Sequence, residues 1–265
     1  MRTRYLISLF ASAAMPLLVS PLEGQQGPPI EITHGMGTGH LSVADPRPLH
    51  KALDALRTEH GWAIDYEDPR YVDADFVDGT DPKWRANHPL EPGMHRVGGG
   101  SFTSTYSERD LGPEGEMQIL DSIVNDYNRS SEPGIFTVKR RDGRFAVVGV
   151  SSKYPSNGPG SPILETKITL PLKDRTGEEA IGDLLAAVSV RTGQKIIPFL
   201  IASNVLPGEV QIGGNELPAS ELLTAVLDTT KANLYWDLLF DPNVQGYLLN
   251  LAPTHKGLQL VRKKN

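Results

Sequence analysis

The chain of 265 residues has no cysteine. Disulfide staples are thereby excluded, and so is a lipid-bearing cysteine that would tether the chain to a membrane. Each folded unit must be held by its own apolar core, and the length allows two domains of ordinary size. Excess positive charge is also missing, since the net charge is −6 and the pI is near 5.7. That balance argues against nucleic acid and anionic lipid surfaces as main partners. The basic run Arg262-Lys263-Lys264 is too short to alter it, and residues 254–265 read as a solvated basic tail. Long hydrophobic runs are absent but for Tyr5 to Val19, which falls short of the ~20 apolar residues of a spanning helix and is broken by Pro16. Behind Arg2 and Arg4 this run has the plan of a secretory signal peptide, taken as residues 1–24, with the cut between Ser20 and Gln26. The expectation is an exported protein, periplasmic or extracellular, with no stable membrane anchor.

Catalytic motifs are scarce too. His34, His40 and His50 lie near Asp45, and imidazole with carboxylate suits zinc, yet their spacing matches no tight ligand motif. Gly35-Met36-Gly37-Thr38-Gly39 lacks the Lys-Ser/Thr of a phosphate cradle. Ser101 follows three glycines, but Phe102 and Thr103 rule out a Gly-x-Ser-x-Gly elbow, and His95 and Asp110 complete a triad only on paper. No catalytic, cofactor-binding or metal residue is assigned, and no cofactor is expected.

What is present is a repetition. After a flexible Gly/Pro/Gln-rich lead-in at 25–39, His40 to Val43 reads as a strand. Asp45 supplies a helix cap ahead of Pro46 and Pro48. Leu49, Ala52, Leu53 and Leu56 then form one helical stripe, ended at Gly61. Trp62 to Tyr66 alternates as a half-buried strand does. The same grammar returns with a strand at Lys167 to Leu170, a stripe of Ile181, Leu184, Leu185 and Val188, a stop at Gly193, and an extended Lys195 to Ile197.

A further strand follows in each half, at Phe102 to Tyr106 and at Val210 to Ile212, and then a second helix. Ile119, Leu120, Ile123 and Val124 correspond to Leu222, Leu223, Val226 and Leu227 at a constant offset of 103. The same offset matches Gly143 of an Asp-Gly hairpin turn to Gly246 of the second hairpin. The expected class is α+β, as two tandem modules at 40–152 and 163–253, each a mixed sheet packed on two helices. A Pro/Gly/Ser linker at 153–162 joins them.

The first helices are offset by 132 and the second helices by 103, so the first copy holds an extra 29 residues. They fall in an inserted loop at 67–100 that carries Tyr71, Phe76, Trp84, His88 and His95. Long loops in compact domains are either functional or disordered, and these five residues form the candidate interaction surface.

The segment Arg47-Pro48-Leu49-His50-Lys51-Ala52-Leu53 through Gly61 to Tyr66 resembles the short N-terminal domain of secretins and TonB-dependent receptors. There a helix opens at a proline-leucine pair, closes at a glycine and leads into a strand. Glu221 to Thr230 is similar to that family's second helix. The resemblance implies a non-catalytic interaction or assembly module of the bacterial envelope. Its partners would be envelope proteins met through sheet-edge pairing. An exported enzyme or metal-binding protein with its site in the 67–100 loop is the alternative.

Overall fold

The computed structural model describes residues 30–109, 111–141, 143–154, 160–201, 205–230 and 232–254. The signal-peptide segment, part of the lead-in, part of the linker and nearly all of the basic tail lie outside them. In the first half the elements are β1 (Glu31–Gly35), β2 (Thr38–Ala44), α1 (Pro48–His60), β3 (Ile64–Glu67), β4 (Phe76–Asp78), α2 (Pro82–Asn87), β5 (His95–Val97), β6 (Ser101–Ser107), α3 (Pro113–Arg129), β7 (Ile135–Arg141) and β8 (Arg144–Ser151). The second half runs β9 (Lys167–Arg175), α4 (Gly177–Thr192), β10 (Lys195–Ile201), β11 (Val210–Pro218), α5 (Ala219–Asp228), β12 (Leu234–Asp241) and β13 (Gly246–Pro253). The class is α+β.

The helices form where apolar spacing and punctuation agree. Leu49, Ala52, Leu53 and Leu56 are all buried along one side of α1. Gly61 closes the helix in the left-handed conformation, its N–H donating to the Arg57 carbonyl at 2.9 Å. Asp45 is not the cap expected of it. Arg47 holds that position without a side-chain cap, and Asp45 instead accepts the Arg47 N–H at 2.8 Å in a turn ahead of the helix. The glycine-rich stretch at 35–39 is likewise more ordered than a lead-in. Met36 and Gly37, both at positive φ, make a two-residue turn that folds β1 onto β2.

Three small sheets, β1-β2-β6, β11-β9 and, in the inserted loop, β4-β5, lie apart from a six-stranded sheet of order β10-β13-β12-β3-β8-β7. The expectation of one sheet per module is therefore corrected. β12 of the second half pairs in parallel with β3 of the first, Asp237 beside Tyr66 and Leu238 beside Glu67, so the main sheet runs through both halves. Each half still has its own apolar cluster. Ile64 and Tyr66 belong to the first, and Trp236, Leu238 and Phe240 to the second. Because side chains alternate along a strand, Asp65 and Glu67 face the second half's helices while Asp237 and Leu239 face the first's. The two helix layers thus cover opposite faces of one sheet.

Strand pairing also corrects the repeat register. Ile64 stands opposite Phe145 and Ile196 opposite Tyr247, and those partners lie opposite Arg140 and Phe240. Across the hairpin the offset therefore falls to 102 in its second strand and 100 in its first. The second turn is two residues longer, and its left-handed residue is Gln245, where the first turn uses Gly143.

Candidate interaction site

Alternation predicts one wet face for β3, yet Ile64, Asp65, Tyr66 and Glu67 are all buried. The acids are there because the second half covers the far face, and each finds a donor. Asp65 accepts the Trp236 N–H at 3.1 Å and pairs with Arg144 at 3.0 Å. Just past the strand, Asp68 accepts the Phe240 N–H at 2.9 Å and the Arg47 guanidinium at 2.8 Å, and its own N–H donates to Leu238 at 2.9 Å. Glu67 receives the N–H groups of Ile163 and Leu164, which open the second half. Side-chain carboxylates thus extend a backbone ladder only two residue pairs long.

Electrostatics follow from this burial. Loss of water pushes the Glu67 carboxyl up to about 8, against the pull of its two backbone donors. Asp65 is also raised by burial, which Arg144 offsets only in part. Burial would raise Asp237 as well, but the Arg57 guanidinium and His50 hold it below the usual carboxylate value. Arg57 is itself buried. It donates to Asp237 at 2.6 and 3.3 Å, to Asp54 at 2.7 Å and to the Ile64 carbonyl at 2.9 and 2.6 Å, and it lies over the Tyr235 ring.

The inserted loop straps the halves together. Tyr71, 6% exposed, and Val97 enter the second half's apolar cluster, and Phe76 stacks on Phe240 with centroids 5.8 Å apart. The backbone of His95 exchanges two 2.9 Å hydrogen bonds with the Asn243 side chain. Tyr71 and Phe76 therefore face the other half of their own chain rather than an outside partner. Trp84 and His88, with rings 4.6 Å apart, are half-buried, on and just after a short helix capped by Asp81. The side chain of His95 is exposed.

Close packing of the strap is set by Gly149 on β8, where an added Cβ would press into the backbone of Pro69. Gly149→Ala is expected to cost about 2–3 kcal/mol by overpacking. Gly182→Ala, in open space on α4, should stabilise by about 0.5–1 kcal/mol. Urea unfolding of the two variants beside the parent checks both signs.

Among the described residues, His34, His40 and His50 do not gather into one ligand group. His34 pairs with Glu59 at 2.6 Å and Glu108 at 2.8 Å, while His40 meets Thr105 at 2.8 Å. His50 instead lies 3.2 Å from Asp237 and 3.9 Å from Asp54, a grouping with metal-ligand chemistry that sequence spacing missed because Asp237 comes from the other half. Arg57 already supplies the positive charge between those two carboxylates, so the arrangement suits a structural ion-pair network better than a cation site. Ser101 opens β6 on the exposed surface, and Asp110 lies outside the described residues.

The main sheet ends on one side at β7, whose rim carries Lys139, Arg140 and Arg141, and on the other at β10. Phe199 and Leu200 of β10 are 60% and 62% exposed. By the repeat they occupy the places of Glu67 and Asp68, so one structural edge is acidic and paired in the first half, and apolar and, among the described residues, without a strand partner in the second. Among the described residues no helix is long and apolar enough to cross a membrane. No protein-family model, no curated protein and no solved structure matches the chain.

Proposed function

We propose that this is an exported, non-catalytic interaction or assembly protein of the bacterial envelope, built from two units similar to the short N-terminal domains of secretins and TonB-dependent receptors. The order strand, helix, strand, strand, helix, hairpin, traced twice, supports the reading. The observation that carries it is the open β10 edge with Phe199 and Leu200 outward. An apolar edge strand is a ready template for another chain, and exposed apolar clusters mark contact sites. The same edge of the first half, β3, already joins one unit to another. Pro198 and the register shift beyond it bend the strand, which restricts pairing to a short, shaped partner.

Site-specific photocrosslinking in intact cells tests this. A probe at Phe199 is expected to give one defined envelope adduct that Leu200→Glu abolishes without lowering thermal stability. Adducts from Trp84 alone would move docking to the inserted loop. Absence of any envelope adduct from either position would remove the proposal.

A further inference from the structure

Apart from the inserted loop, the two halves differ among the described residues in one strand, and the difference leaves one edge of β9 without a strand partner. In the first half β2 is central, with β6 on one side and β1 on the other. β9 takes the place of β2: buried Leu41 and Val43 match buried Ile168 and Leu170, and β9 runs antiparallel to β11 as β2 does to β6. Yet among the described residues β9 pairs with β11 alone, and nothing stands where β1 would. The described residues thus display what completes this edge in one copy and hold no counterpart strand in the other.

We propose that the free edge of β9 accepts an extended segment of a partner protein, antiparallel, apolar at alternate positions and acidic opposite Lys167. The register comes from β1, where Glu31, Ile32 and Thr33 stand opposite Ser42, Leu41 and His40. Moved onto β9, those places fall opposite Thr169, Ile168 and Lys167. An apolar residue in the middle place extends the core beside Ile168, as Ile32 does beside the first cluster. The flanking place meets the exposed Lys167, which a carboxylate complements. Pro171, the one residue of β9 without an N–H, matches Ala44, beyond the point where β1 stops pairing, and so does not block the segment. A second copy's β1 is the weaker occupant. Its own tight turn at Met36 and Gly37 keeps it on β2, and it offers Thr33, not an acid, to Lys167. This edge is separate from β10, so the two surfaces stand or fall independently.

The test is an amide-shift titration of the full chain with a blocked peptide of residues 30–35 carrying Thr33→Glu. Shifts are expected at Lys167–Leu170, with affinity reduced about two- to five-fold by Lys167→Glu and restored when that variant meets the Thr33→Lys peptide. Shifts centred on Phe199–Ile201, or no shifts, would overturn the proposal. So would protection of Lys167–Leu170 that grows with protein concentration without peptide, which would assign the edge to a second copy.

Discussion

Arg57→Ala is expected to destabilise the fold by about 3–5 kcal/mol, because it strands a buried charge. Asp237 sits on the second half's β12 but faces the first half's helices, and Arg57 is its bidentate partner across the junction. Alanine also leaves the Ile64 carbonyl without its two guanidinium donors and removes the stack on Tyr235. His50, 3.2 Å away, retains a charge contact with Asp237 but lacks the forked geometry that satisfies both carboxylate oxygens. The double variant Arg57→Leu with Asp237→Leu should recover most of the loss, since removing both charges removes the desolvation cost along with the attraction. Urea unfolding of parent, single and double variants checks the pair. A single-variant loss below about 1 kcal/mol would mean that water reaches Asp237 and that the junction is looser than described.

Stability is expected to fall as pH rises from 5 to 9, with Glu67 the main cause. Its folded value of about 8 lies above the ordinary carboxylate value, so between the two the folded chain holds a proton that the unfolded chain has lost. Raising pH through that window therefore favours unfolding, by on the order of 3 kcal/mol for one strongly shifted carboxyl. His50 acts in the same direction. Burial would lower it, but Asp237 outweighs burial and raises it, so the stability it contributes is lost as pH passes its folded value. Glu67→Gln should flatten the profile on the alkaline side and leave the acidic side little changed. Unfolding midpoints at pH 5, 7 and 9 check this, and a parent profile that rises toward pH 9 would contradict it.

Much of the fold was legible along the chain. The stripe from Leu49 to Leu56, the stop at Gly61 and their echoes at Ile181 to Val188 and Gly193 are local signals, and the structure has helices ending at both glycines. The paired hairpins were equally plain. The acids of β3 were not. Asp65 and Glu67 look like the outward residues of an alternating strand, and only the arrival of the second half on that face makes them interior. Tyr71 and Phe76 read as surface aromatics for the same reason, since nothing local says that a loop folds back over the other half. The lead-in misled through composition: glycines that suggest a mobile tether also permit the left-handed turn that makes β1 a strand.

The sequence by itself determined the four long helices, the strands of the repeated order and the absence of disulfide staples, because those depend on residue type and on spacing within a few residues, whereas β1 and the elements of the inserted loop were not legible in it. Tertiary structure alone decided that β3 and β12 lie side by side, that the halves cover opposite faces of one sheet, and which edges stay open. Those outcomes rest on contacts between residues more than 150 positions apart, such as Arg57 with Asp237 and Asp68 with Phe240, whose partners no local pattern identifies.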